Sequence, residues 1–489
     1  MNLLRIIFLL PALMLLMPSC KDSAPESPPV MSGKYWKDQA LKDIMPYWTK
    51  YSRDTVYGGF HTNLDSEWKL FGDSYKYPSM ISRQLFSYSV AYLLSGEEEY
   101  IRHADNTAEW LIGKAWDKEY GGWYDELDRE GNPVQMTKTT FVQVYAATGL
   151  ALYYFVTRDS TALDYIIKSN DLLETKVWDG DKGGYFDMMN RDWSVLDSNK
   201  SFSSEITPVS GYLFYLYHAT RDKKFSEQIS RVLDVTMDKM TDSESGWILE
   251  NFNSNWEYLP PAKEDHSEVN TGHNIEAAWM LIKDYLITGN ENRLNSAVTL
   301  SEMIQEAGLF NSSNIWLSTV SRLAPVRTSP FSYWWIHAYG NMISLYLYHV
   351  TDETRYLDDF KKGALAWDES FIDKIYGDTY LSTDSLGKGL DGTKANRFKT
   401  SYHSIEHCLL NYLMLNLWVN NEPVEIYFRI NSSKKGDVLH ASLLEDDNIK
   451  VTEVSLPENN QEVLSIENNA IRLPQLNYQK VKVILSTLM

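Results

Sequence analysis

The chain is short of cysteine and of positive charge, and each shortage removes a class of function. Its 489 residues hold only two cysteines, Cys20 and Cys408, too few for a disulfide framework or a cysteine-rich zinc site. Lys and Arg total 46 against 66 Asp and Glu, a formal charge of −20. That excludes a nucleic-acid partner, which needs a basic surface. Long hydrophobic runs are also missing, because past the N-terminus no segment reaches the length of an uncharged membrane span. Aromatic rings, in contrast, are plentiful. The 16 Trp and 32 Tyr suit core packing and stacking on the apolar faces of sugars.

The one apolar run, Ile6 to Met17, follows Arg5 and is too short to span a bilayer, which reads as a signal peptide over 1–19. It ends in Met17-Pro18-Ser19-Cys20, which resembles a bacterial lipobox. Lipidation at Cys20 is therefore expected, giving an exported cell-envelope lipoprotein of the periplasm or outer membrane, held to the membrane by its lipid anchor. Residues 20–33, rich in Pro and Ser, read as a tether. Cys408 is then the single remaining thiol, so no disulfide can form within the mature chain.

A motif of Asp, three residues, Gly, usually a second Gly, and an aromatic recurs along the chain. It stands at Asp54–Phe60, Asp117–Trp123 and Asp179–Tyr185, more weakly at Asp242–Trp247 and Asp373–Gly377, with Gly308-Leu309-Phe310 in register between those two. First glycines are separated by 63, 62, 63, 62 and 69 residues. Each motif reads as a turn into a short strand. Between motifs the 3.6-residue period predicts two helices, at about 34–51, 80–94, 98–116, 138–157, 160–177, 206–220, 223–240, 273–288, 291–306, 331–350, 353–370 and 403–418. The first of each pair carries one charged face, whereas the second is apolar nearly all round, as buried helices are. Six buried helices inside six amphipathic ones make an all-α (α/α)6 barrel over 34–420. The alternating stretches PVEIYFRI and QKVKVILSTL predict a small β appendage over 423–489.

Register then places the chemistry. Arg83 lies 25 residues after its repeat's first Gly, His273 lies 27, and Trp334 and His403 each lie 26. Equivalent positions in a toroid share one end, so these four should meet at one mouth although they are distant in sequence. A His at a helix start is often only a capping residue, but two at equivalent positions raise the case for catalysis. Arg83, in an apolar helix, must meet either a carboxylate or a ligand. Glu276, three residues after His273, is a candidate to orient its imidazole, and Trp279 follows one turn on. Trp334 and Trp335 read as one core residue and one pocket wall. No metal site is expected, since neither a Cys pair nor H-E-x-x-H spacing occurs.

The segments YGGFHTNLD, ISRQLFSYS, GHNIEAAWML, YWWIHAYGN and Lys399 to His403, in this order and register, resemble the N-acylglucosamine 2-epimerase family, which includes the cellobiose 2-epimerases. The resemblance covers about residues 34–420. It implies the (α/α)6 fold, no cofactor, a mono- or oligosaccharide partner, and two catalytic histidines, matched by His273 and His403, with Arg83 and Glu276 beside them. It further implies proton removal next to an open-chain sugar's carbonyl, an enediolate steadied by Arg83, and either 2-epimerisation or aldose–ketose isomerisation. The substrate-binding candidates are Trp334, Trp335, Tyr402, Trp279, Tyr339 and Glu406. Two of these depart from the family's pattern, since Tyr339 stands where a Glu is usual and Glu406 where an Arg is usual. On the sixth helix only Glu205, Thr207 and Pro208 represent an expected polar cluster. Other enzymes use this fold, so a glycoside hydrolase or polysaccharide lyase recruiting Glu205, Glu276 or Glu406, or a silent sugar-binding lipoprotein, are the alternatives.

Overall fold

The computed structural model describes residues 28–260, 267–308, 314–323, 329–390, 392–432, 437–457 and 465–488. The signal segment, Cys20 and the tether up to residue 27 lie outside the described residues, as do Leu309 and Phe310 of the fifth Gly motif.

Helices alternate between an outer and an inner ring. Outer α1 runs through Gly33–Asp38, Gln39–Ile44 and Met45–Tyr51, and inner α2 is Pro78–Ser95. Outer α3 (Glu98–Trp110, then Leu111–Ala115) pairs with inner α4 (Thr140–Thr157). Next come α5 (Ser160–Leu172, Leu173–Val177) and α6 (Phe202–Pro208, Val209–Leu213, Phe214–Thr220). The fourth pair is α7 (Lys223–Val235, Thr236–Met240) with α8 (Thr271–Thr288), and the fifth is α9 (Glu291–Gly308) with α10 (Trp334–Thr351). The last is α11 (Thr354–Ala366, Trp367–Phe371) with α12 (Tyr402–Met414, Leu415–Asn420). Each inner helix packs on the next, and α12 closes on α2. The chain is an (α/α)6 barrel.

Sequence character explains the two rings. Inner α4 buries nearly every residue from Val142 to Thr157, while outer α7 turns only Phe225, Gln228, Ile229, Val232, Leu233, Thr236 and Met240 inward. Two inner helices begin later than the periodicity suggests, because Lys138–Thr139 and Phe331–Tyr333 are short strands. Inner α6 begins earlier, at Phe202, where Ser201 Oγ accepts the Ser204 N–H. Pro208 sits inside the helix. The wider turn Val209–Leu213 follows it and accommodates its missing donor.

The Gly motifs are tight loops. In each of the five described with their Asp, the first Gly has φ between 73° and 78° and donates its N–H to the motif Asp's carbonyl. Asp54, Asp117, Asp179 and Asp373 also accept backbone N–H groups two and three residues on. A buried lysine from just before the next inner helix meets each of these carboxylates, at 3.0 Å for Lys76–Asp54, 3.2 Å for Lys138–Asp117, and 2.7 Å for Lys200–Asp179 and Lys394–Asp373. Asp242 has instead a half-buried arginine from the following repeat, Arg322, as Asp54 has Arg129 and Asp117 has Arg191 beside their lysines.

After Asn420 the chain turns to strands. Leu476–Thr487 pairs antiparallel with Val424–Ser432 on one side and Ile449–Ser455 on the other, and a second sheet joins Val438–Leu439, Ala470–Arg472 and Ser465–Glu467. The alternating Val424, Ile426, Phe428 and Ile430 are buried. They face the C-terminal ends of the inner helices, where Phe428 lies 5.5 Å from Phe155 and Thr487 donates to the Leu417 carbonyl.

Candidate active site

At the opposite end, the N-terminal turns of the inner helices surround a cavity of about 720 Å³, in the range of small-molecule sites. Arg83 of α2, His273 and Glu276 of α8, Trp334 and Trp335 of α10, and His403 of α12 all line it. Helical side chains lean toward their helix N-terminus, so first-turn residues of inner helices converge at this end whatever their distance along the chain. Trp335 stands between the histidines, its ring centroid 5.4 Å from that of His273 and 6.1 Å from that of His403.

The histidines sit in opposite electrostatic surroundings. Asn270 caps α8 by accepting the His273 N–H at 3.2 Å, and the imidazole stacks on Phe202 at 4.4 Å. Its Nδ1 meets the carboxylate of Glu250 at 2.7 Å. Burial alone lowers an imidazole's proton affinity, but Glu250 reverses this and the His273 pKa rises above its ordinary value. His403 is buried among Tyr402 at 4.7 Å, Tyr339 at 5.3 Å and Trp334 at 5.8 Å. Its Nδ1 has no hydrogen-bond partner among the described residues. Burial and then the nearby Arg83 charge hold its pKa well below the usual imidazole range.

Glu276 is not the group that orients His273, as its sequence spacing had suggested. Glu250 is, and Glu276 instead faces the cavity with Oε1 unpaired among the described residues. Burial raises its pKa. Glu250 escaped notice because it lies in a loop rather than on the helix, yet register could have revealed it. It stands four residues after its motif's first Gly, as do Asp125 and Asp187, which accept from Thr139 and Ser201 at the starts of the preceding repeats' inner helices.

Arg83 meets no carboxylate among the described residues. Its guanidinium lies 3.5 Å over the Tyr145 ring, one nitrogen donates to the Phe398 carbonyl at 3.1 Å, and Nε is buried without a partner. Trp334 and Trp335 both reach the cavity, so neither is purely core. The other four substrate-binding candidates do not line the cavity and form the layer beneath it. Trp279 packs on Tyr339 at 5.2 Å, and Tyr339, Tyr402 and Tyr215 all direct their hydroxyls to Glu406. The two positions that depart from the family pattern, Tyr339 and Glu406, therefore touch each other, and a phenol with a carboxyl fills the place of a carboxylate with a guanidinium. Burial pushes the Glu406 pKa up to about 7.

Thr207 lines the cavity, but Glu205 does not. Glu205 accepts the Tyr185 N–H at 2.7 Å, as Gln143 does for Trp123 and Asn274 for Ile248. It is the acidic form of a recurring clamp between inner helix and Gly motif, and burial raises its pKa to about 8. Among the described residues no cluster of His, Cys, Asp or Glu could hold a metal.

Comparison with known proteins agrees with the fold. Cellobiose 2-epimerase of Bacteroides fragilis is 25% identical over 388 residues, spanning 75% of this chain and 95% of that protein. D-mannose isomerase of Marinomonas mediterranea is 22% identical, spanning 78% of this chain and 97% of its own length. The solved cellobiose 2-epimerase from Bacillus thermoamylovorans B4167 superposes with a TM-score of 0.71 at 22% identity, over 78% of this chain and 98% of that one. The profile of the N-acylglucosamine 2-epimerase (GlcNAc 2-epimerase) family matches residues 58–407, and the chain belongs to that family.

Proposed function

We propose that the protein is a carbohydrate epimerase or isomerase that moves a proton on a free reducing saccharide through an enediolate. The observation that carries this reading is the pair of histidines on one cavity with pKa values displaced in opposite directions. Such a split assigns an acid and a base. His403, neutral near pH 7, takes the proton from C2 of the open-chain sugar. His273, whose proton affinity Glu250 raises, supplies a proton to the opposite face and yields the epimer. Delivery to C1 instead yields the ketose. Each turnover leaves the histidines in exchanged protonation states, which solvent resets. The unpaired Arg83 nitrogen supports a role in steadying the enediolate oxygen.

The cavity's aromatic walls favour a sugar over a more polar ligand. Relatives named cellobiose 2-epimerase and D-mannose isomerase support the same chemistry without choosing the sugar. A glycosidase needs two carboxyls flanking the bond. Of Glu205, Glu276 and Glu406, only Glu276 reaches the cavity. We also infer export, with Cys20 carrying a lipid anchor, from the N-terminal sequence.

Purified protein incubated with reducing mono- and disaccharides in heavy water should introduce deuterium at C2, read by proton NMR. New reducing ends from an oligosaccharide without any exchange would sink the proposal.

A further inference from the structure

The end of the barrel away from the cavity is closed by the β appendage, and one acidic side chain from it enters the ring of inner helices. Glu445, in the segment between Leu439 and Ile449, has a fully buried carboxylate. It lies 2.6 Å from His218 Nε2 of α6, 2.6 Å from Lys283 Nζ of α8, and accepts the Tyr346 hydroxyl of α10 at 3.2 Å. Three consecutive inner helices thus converge on a group that the barrel itself does not supply.

Above this point a continuous column of side chains leads to the cavity. Lys283 Nζ lies 5.5 Å from the Trp279 ring, Trp279 lies 5.2 Å from Tyr339, and Tyr339 lies 5.3 Å from His403. Beside the column sits Glu406, which takes hydroxyls from Tyr215 of α6, Tyr339 of α10 and Tyr402 of α12. The charged groups acting on it are Lys283 and Glu276, both of α8. Arg83 of α2 and Tyr145 of α4 reach the same Tyr402. Lys283 is therefore the cation between two buried carboxylates, and among the described residues its ion pair is with Glu445 alone.

We propose that Glu445 makes the appendage a positioning element of the active site: by holding the Lys283 ammonium low in the barrel it keeps that charge from Glu406, and so fixes the tyrosine floor on which His403 rests. The pKa values agree. Burial acts to raise Glu445, but Lys283 and His218 outweigh it and bring the value down to about 2, whereas Glu406 stays near 7. One ammonium cannot fully neutralise two buried carboxylates, and the shorter contact takes it. Only the consequence for turnover rests on the proton-transfer reading; the placement of charge does not.

The test is Glu445→Gln in the full chain, followed by pH-difference infrared spectra of the protonated carboxyl band, with Glu406 assigned by loss of its band in Glu406→Gln. An unpaired Lys283 favours ionised Glu406, so the midpoint should fall by about one pH unit. Adding Lys283→Met removes the cation and should carry it above the parent value. The pH profile of C2 exchange should move with the band, with kcat changing more than KM. A midpoint that stays in place, or that moves the same way in both variants, overturns the proposal. So does a band that moves while the profile of an active enzyme stays. Should the Gln variant not fold, Lys283→Met alone removes the cation that lowers Glu406 and should raise the midpoint; no rise overturns the proposal. The band titrates whether or not the protein exchanges C2 protons, so failure of the assigned chemistry and failure of this coupling are separable.

Discussion

Two sets of buried cations in this barrel, one at the Gly loops and one on the cavity wall, separate shape from chemistry. Around the Gly loops, Lys76, Lys138, Lys200 and Lys394 each sit against a motif Asp. On the cavity wall, Arg83 is equally buried but has an aromatic face and one carbonyl instead, and a nitrogen left over. A buried charge with its counter-ion is complete and holds a loop in place. Arg83, without one and facing a cavity, is stabilised further when a ligand arrives. The loops are finished structure, and the cavity is arranged for a ligand.

Replacement of a catalytic histidine should break the comparison most completely. His403→Ala and His273→Ala should each lower C2 exchange by about 10²–10⁴-fold, with circular dichroism and melting little changed. Exchange that survives both changes rejects the roles given to them. Next come the two kinds of cation, replaced in parallel. Lys138→Met leaves Asp117 buried without its lysine and should cost about 3–5 kcal/mol of stability in urea unfolding, softened by the Arg191 contact at 2.9 Å. The fraction still folded should turn over normally. Arg83→Met should do the reverse, with stability held and kcat lowered about 10²–10³-fold. If both variants lose stability alike, the distinction between loop and cavity fails.

The smallest effect sharpens the comparison at a single proton. Glu250 is what raises the His273 pKa, so Glu250→Gln should let burial dominate and bring that pKa down. Turnover needs His273 protonated, and its loss on the alkaline side follows the His273 pKa. The alkaline limb of the kcat/KM profile should therefore move to lower pH, by about one unit, while the acid limb stays. An unmoved alkaline limb would remove Glu250 from the acid's surroundings.

Much of this was legible before any coordinates, because repetition turns sequence position into spatial position. Evenly spaced Gly motifs and alternating helix character led to the (α/α)6 barrel, and register put Arg83, His273, Trp334 and His403 at one mouth, where the cavity lies. What misled was local spacing. His273 and Glu276 are neighbours on one helix turn, yet the imidazole's partner, Glu250, comes from the loop before it. Trp279, Tyr339, Tyr402 and Glu406 belong to motifs that surround the catalytic candidates. Yet Trp279, Tyr339 and Glu406 lie about one helical turn further on, and Tyr402 turns its hydroxyl down to Glu406, so all four sit under the cavity rather than in it. The start of α6 at Phe202, four residues before the periodicity suggests, rests on the Ser201 cap, and the wide turn after Pro208 is one that composition does not announce.

The sequence by itself determined the ring of helices, the end at which chemistry gathers and the residue types brought there, since periodicity and apolar patterning act through short-range backbone geometry. Tertiary structure alone decided which carboxylate each cation or imidazole meets. Glu250 with His273, Asp117 with Lys138 and Glu445 with Lys283 are pairings between distant or separately folded segments. Electrostatic pairing in a buried site depends on a few ångströms of approach and on the exclusion of water, and neither exists until the chain has closed.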